Sequence, residues 1–370
     1  MKKALFVLLA GLGLSLGAQQ PSAPPDIPFD VQDVIKMPPD LYLGEVAGVA
    51  LNSKRHIFVY TRTGADDGST ILEPRSARIF EFNPDGSFLK EIGKTLYSKG
   101  WAHSVRIDKD DNIWLVDNGT DEIVKLSPDY KVKLILGRRN EPVGERVRRA
   151  GMNPGQPPPP PRPGYFFEPT DVAWDAQGNI FISDGYQNST VHKFDKDGNI
   201  VKMVGTARGS GPGQFSTPHA IALDARGNVY VADRSNARIQ VLDNDLNYVR
   251  EIKYDPPQAP GYVSPIPDFG KKPDGRYNTL WPNTLCITPG PTQYIYANSM
   301  LPGQIQKITL DGKVVGQFGV AGRKAGQFGW VHAISCVAEN EIWTGELLNW
   351  RVQKFILKPG AAVRTSSGGR

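Results

Sequence analysis

The chain has 370 residues, with 43 Lys and Arg against 38 Asp and Glu, and its formal charge of +5 falls to +3 once Lys2 and Lys3 are set aside. So small an excess argues against a polycationic nucleic-acid surface, and 39 Gly with 31 Pro suit a turn-rich β protein better than a helical one. Two cysteines are too few for a disulfide framework, and Cys286 and Cys336, both in apolar β segments, read equally well as buried free thiols or as a pair.

Lys2 and Lys3 precede an apolar run, Ala4 to Leu16, that exits through Ser15, Gly17 and Ala18. Residues 1–18 therefore read as an export signal, too short to span a bilayer, and predict a periplasmic or secreted protein with no membrane partner. Residues 19–28, rich in Gln and Pro, are expected to be a disordered leader, and 359–370 a disordered tail. The stretch from Phe29 to Lys36 is extended and precedes the first of a set of repeats.

Six segments align: AGVALNSKRHIFVYT (47–61), HSVRIDKDDNIWLVD (103–117), TDVAWDAQGNIFISD (170–184), HAIALDARGNVYVAD (219–233), TLCITPGPTQYIYAN (284–298) and HAISCVAENEIWTGE (332–346). Self-similarity at tens of residues marks a repeat architecture. Each copy has an alternating strand, a turn such as Ala225-Arg226-Gly227-Asn228, and a second strand of β-branched and aromatic residues. A third strand follows in most copies, and Asp85-Gly86, Asp197-Gly198 or Asp311-Gly312 then turns into a fourth. Residues 29–358 are thus expected to form one all-β domain, a six-bladed β-propeller of four-stranded antiparallel blades. Copy six ends after three strands near Leu357, so the stretch from Phe29 is predicted to supply its missing outer strand. Two linkers are long, 138–168 with five arginines before residue 150 and a proline run, and 254–282; a loop over a channel mouth suits binding as well as it suits a spacer.

The first position of the copies reads Ala47, His103, Thr170, His219, Thr284, His332. Histidine alternates with small residues, so a closed ring points three imidazoles a third of a turn apart at one axis. Three neutral imidazoles with an open fourth position are a common catalytic zinc set. The plainer use of each histidine is a hydrogen bond to the neighbouring blade. His56 and His192 fit no pattern and are read as surface or packing residues. The far end of the second strand carries Arg62, Asp117, Asp184 with Tyr186 two residues on, Asp233 with Arg234, Asn298 and Glu346. Here arginines can clamp a carboxylate and a phenol beside a cation ionises more readily, while the aspartates are expected to bond backbone amides of the turn that follows.

Segments such as GSGPGQFSTPHAIALDARGNVYVADRSNARIQVLD (209–243) resemble NHL-repeat propellers over nearly the whole chain. The strings AGVAL (47–51), LILGR (134–138), PTDVAW (169–174), SDGYQNS (183–189), PHAIAL (218–223), ADRSNARIQ (232–240) and VREIK (249–253) resemble the peptidyl-α-hydroxyglycine α-amidating lyase family within them. That resemblance implies zinc on His103, His219 and His332, a base role for Tyr186, and carboxylate and oxyanion contacts for Arg62 and Arg234. The family's methionine-proline before the third zinc histidine and aspartate after it are replaced in Trp330-Val331-His332-Ala333, which argues against its structural calcium; its cysteine after the active tyrosine is Gln187. The implied activity is cleavage of an N-acyl-α-hydroxyglycine or similar carbinolamide to an amide and glyoxylate by a monomer, the partner being a small carboxylate or peptide substrate. The alternative is a non-catalytic NHL propeller that binds a peptide, glycan or protein. A lactonase-like hydrolase is less favoured, because such sites are rich in carboxylates.

Overall fold

A computed structural model describes residues 24–63, 77–97, 99–137, 160–205, 208–254, 261–266, 270–271, 273, 275, 277, 282–301 and 303–360. The expected export signal, residues 19–23 of the expected leader, the tail from 361 and the greater part of both long linkers lie outside the described residues.

Six four-stranded antiparallel sheets account for the repeats. Their inner strands are Glu45–Leu51, Ala102–Ile107, Pro169–Trp174, Pro218–Leu223, Leu285–Ile287 and Val331–Ala338. The second strands (Ile57–Arg62, Ile113–Asp117, Ile180–Asp184, Val229–Asp233, Tyr294–Ser299 and Glu341–Glu346) are buried on both faces. This double burial explains why their sequences are near-continuous apolar runs and not alternating ones. Between the first and second strands, Asp108, Asp175 and Asp224 fold the hairpin by accepting the backbone N–H and side-chain amide of the Asn four residues on.

The core is divided among the seams between blades. Phe58 and Tyr60 meet Leu115 and Val124 across seam one–two, Trp114 and Val116 meet Ile180 and Phe194 across two–three, and Phe181 meets Val231 across three–four. Tyr230 meets Leu285 across four–five, Tyr296 meets Ile334 and Phe355 across five–six, and Val59 meets Trp343 across six–one. The sixth seam joins the two ends of the repeat array, so the ring is closed. Each buried aliphatic or phenyl side chain in these seams contributes roughly 1.5–3 kcal/mol.

Closure uses the expected strand. Phe29–Asp33 pairs antiparallel with Arg351–Leu357, from Phe29 opposite Leu357 to Asp33 opposite Gln353, and the Phe29 ring packs on Phe318 and Phe355. The ordered chain begins earlier than the sequence suggests. The Ile27 N–H donates to the Gln317 carbonyl at 2.7 Å and its side chain is buried in seam five–six, because an isoleucine beside an apolar groove gains more from burial than from solvent.

Cys286 and Cys336 form a disulfide, which decides between the two readings of these residues. It crosslinks the inner strands of blades five and six, where the blade-five strand has only three residues. For a sequence separation of 50 residues, loop-closure entropy gives a stabilisation of up to about 4 kcal/mol. Reduction by a dithiol, or Cys286→Ser with Cys336→Ser, is therefore expected to lower the thermal midpoint measured by circular dichroism. An unchanged midpoint would show that strand pairing alone holds this seam.

Candidate metal centre

In five blades the inner strand slips register by one residue against the second strand, between Val46 and Gly48, Ala102 and Ser104, Pro169 and Asp171, Pro218 and Ala220, and Val331 and Ala333. The skipped residues are Ala47, His103, Thr170, His219 and His332, all of them at the first position of the aligned copies. A bulged residue leaves the strand's alternation and its side chain is re-aimed. That local defect turns the three imidazoles towards the axis.

The bulge is held by the acid that ends the second strand. Asp117 accepts the Gly100 and Trp101 N–H groups at 3.0 Å, Asp184 the Phe167 N–H, Asp233 the Ser216 N–H at 2.7 Å, and Glu346 the Gly329 N–H at 2.6 Å. The expectation that these acids bond backbone amides of the following turn is thus corrected. Their backbone partners lie mainly in the segment entering the inner strand; in the following turn the Thr120 N–H bonds Asp117, and the side-chain amides of Asn188, Asn236 and Asn349 bond Asp184, Asp233 and Glu346. Two residues before Thr170, His219 and His332, the backbone of Glu168, Thr217 and Trp330 is left-handed, with φ of 65°, 62° and 65°. Such backbone is rare for residues this bulky and clusters at functional sites.

The three histidines are buried and their rings stand edge to face, with centroids 4.7 Å apart for His103–His219 and His103–His332 and 5.1 Å for His219–His332. Each Nδ1 donates to a backbone carbonyl of an intervening blade: His103 to Thr170 at 2.6 Å, His219 to Asn283 at 2.7 Å, and His332 to Ala47 at 2.8 Å. The alternation in the sequence therefore has two halves, since even blades supply imidazoles and odd blades supply the carbonyls that orient them. With Nδ1 protonated, each Nε2 keeps its lone pair, and one ligand nitrogen from each ring lies within 4.8 Å of the others. This donor set, neutral imidazoles fixed through the second nitrogen, fits a metal ion. Burial is the main cause that holds all three well below the usual histidine pKa, His332 at about 3, and nearby arginines add to it. At neutral pH the triad is uncharged and free to ligate.

The other expected residues gather at the same mouth. The Tyr186 hydroxyl donates to His219 Nε2 at 2.8 Å and lies 3.4 Å from His103 Nε2. The Arg234 guanidinium stacks 5.2 Å from the Tyr186 ring centroid, with Nη1 donating to Asn283 Oδ1 at 3.3 Å. Its Nε is buried without a hydrogen-bond partner among the described residues. Arg62 donates to the Ala102 carbonyl at 2.8 Å, pairs with Glu45 at 3.2 Å and lies 4.5 Å over the Trp101 ring. Both guanidiniums are 8 % exposed, so an incoming anion would find them largely desolvated.

His56 and His192 stand apart, the first bonded to Glu81 and the second packed between Phe166 and Phe194. Asn283, Glu45 and Trp101 went unread in the sequence, although each falls one or two positions before a first position of the repeat. Part of the second long linker also serves this face, with Tyr262, Ile266 and Tyr277 packing on Met300, Leu301 and Trp330.

Comparison with known proteins agrees with the fold. A family described as a 6-bladed β-propeller matches residues 168–261. Peptidyl-glycine α-amidating monooxygenase of Mus musculus is 32 % identical over 277 residues, 65 % of this chain and 25 % of that protein. A probable peptidyl-α-hydroxyglycine α-amidating lyase of Caenorhabditis elegans is 28 % identical over 181 residues, 46 % of each chain. The chain thus spans a quarter to under half of these relatives. A gluconolactonase from Xanthomonas campestris superposes with a TM-score of 0.54 over 91 % of this chain and 96 % of its own at 13 % identity, a likeness of fold alone. In fold the chain is a six-bladed β-propeller, and in sequence it resembles the peptidyl-α-hydroxyglycine α-amidating lyases.

Proposed function

We propose that this protein is an exported zinc-dependent lyase that cleaves the C–N bond of an N-acyl-α-hydroxyglycine or similar carbinolamide, giving an amide and glyoxylate. One observation carries the reading: three neutral, carbonyl-oriented imidazoles converge beside a phenol and two buried arginines. His103, His219 and His332 would hold the zinc, which when bound supplies Lewis acidity towards a substrate oxygen. Arg62 and Arg234 receive the substrate carboxylate, and the unpartnered Arg234 Nε offers a donor not engaged elsewhere. Tyr186, acting as its phenolate, takes the proton of the carbinol hydroxyl as the carbonyl of glyoxylate forms. The C–N electron pair leaves with the amide nitrogen, which takes up a proton, and no water is consumed. The disulfide and the charged-then-apolar N-terminus support export to the periplasm or beyond. One complete set of residues per chain supports a monomer.

Purified protein is expected to contain about one zinc per chain and to release glyoxylate from α-hydroxyhippurate. Stable, metal-free protein that releases none would replace this reading with that of a non-catalytic propeller.

A further inference from the structure

Below the triad, on the side away from Tyr186, the axis is crossed by an ion pair, its carboxylate buried and its guanidinium partly so, that neither the repeat nor the proposed chemistry calls for. Arg106, on the strand of His103, forks onto Asp171 with Nε to Oδ1 at 2.8 Å and Nη2 to Oδ2 at 2.5 Å. Arg106 Nη1 donates to the Ile334 carbonyl at 3.1 Å, on the strand of His332. Asp171 Oδ2 accepts the Ile221 N–H at 3.2 Å, on the strand of His219, and Asp171 Oδ1 accepts the Ser104 hydroxyl at 2.9 Å. Asp171 also directly follows Thr170, whose carbonyl orients His103. One pair therefore bonds all three ligand-bearing strands, two or three residues beyond each histidine.

Only a chamber of about 10 Å³ separates the pair from the imidazoles, and Arg106 also faces a cavity of about 650 Å³ at the opposite end of the channel. Taking both charges out of water is costly, and an apolar pair of similar volume would often hold the fold as well. The ion pair differs from an apolar pair in being directional, which suits a part that must fix strand register and not merely fill space.

We propose that Arg106 and Asp171 are positioning residues, a lock that holds the strands of blades two, four and six in the register at which their Nε2 atoms converge. The proposal rests on the triad being a metal site. Arg106→Lys keeps the charge but cannot span Asp171 and the Ile334 carbonyl together. Arg78→Lys, which alters a half-buried ion pair with Glu91 in the outer half of blade one, serves as the control.

For Arg106→Lys, zinc affinity measured against a competing chelator is expected to fall about tenfold or more, with an altered visible spectrum of the cobalt-substituted protein. In the metal-free protein, the imidazole Nδ1–H signals of all three histidines should exchange with solvent faster by NMR. Arg78→Lys should lower thermal stability and leave all three readouts at wild-type values. Should Arg106→Lys fail to fold, Ser104→Ala and Asp171→Asn weaken the same node and are judged by the same readouts. Zinc affinity within a factor of about two of wild type, with unchanged cobalt spectrum and exchange, would overturn the lock. Wild-type protein that takes no metal would instead remove the zinc reading, and the exchange rates would still decide whether the pair orders the imidazoles.

Discussion

His219→Ala is expected to yield a folded propeller that retains no zinc after dialysis and no lyase activity. The substitution removes one of three nitrogens, and two imidazoles do not complete the set that a tetrahedral site with one open position needs. It also removes the acceptor of the Tyr186 hydroxyl and the donor to the Asn283 carbonyl, so Tyr186 loses the contact that places it over the triad. Truncation in a buried site and loss of two hydrogen bonds should cost stability on the order of 2–4 kcal/mol. That cost is tolerable in a ring whose six seams are packed separately. His192→Ala is the companion measurement, because that histidine is equally buried but packs in seam two–three away from the axis. It should lose comparable stability and keep its metal. If metal analysis finds His219→Ala as zinc-loaded as wild type, the triad is not the site.

The blade count was legible because a propeller repeats its local grammar six times, so errors in one copy are corrected by the other five. The ligands were legible for a related reason: aligning the copies superimposes equivalent points of the ring, and His103, His219 and His332 fall on one of them. What aims those side chains was not legible. A bulge changes no residue type, only the pairing of Ala102 and Ser104 with Asp117 and Val116. The groups that orient the imidazoles are backbone carbonyls of Thr170, Asn283 and Ala47, which any residue supplies. The Arg106–Asp171 pair left a faint signal, a charge on each of two inner strands, but only the assembled ring shows that the charges meet. The cysteines were ambiguous because a separation of 50 residues says nothing of distance until blades five and six are set side by side.

Tyr186→Phe should separate chemistry from metal binding. The phenol is not counted among the ligand nitrogens, and its hydroxyl now occupies the lone pair of His219 Nε2. Removing the hydroxyl leaves all three nitrogens in place and ends that competition, so the variant is expected to bind zinc at least as tightly as wild type. In the metal-free protein the same change leaves the His219 nitrogen unsatisfied, which should cost about 1 kcal/mol. Turnover should fall much further. Loss of a positioned general base typically lowers kcat by about 10²–10⁴-fold, equivalent to roughly 3–5 kcal/mol in the barrier. KM should change little, because the carboxylate is held by Arg62 and Arg234, and the Arg234 guanidinium can stack on a phenyl ring as it does on the phenol. The measurement is steady-state glyoxylate release alongside metal content. A variant that keeps both zinc and wild-type kcat would exclude Tyr186 as the base, and one that loses zinc would recast its hydroxyl as part of the metal site.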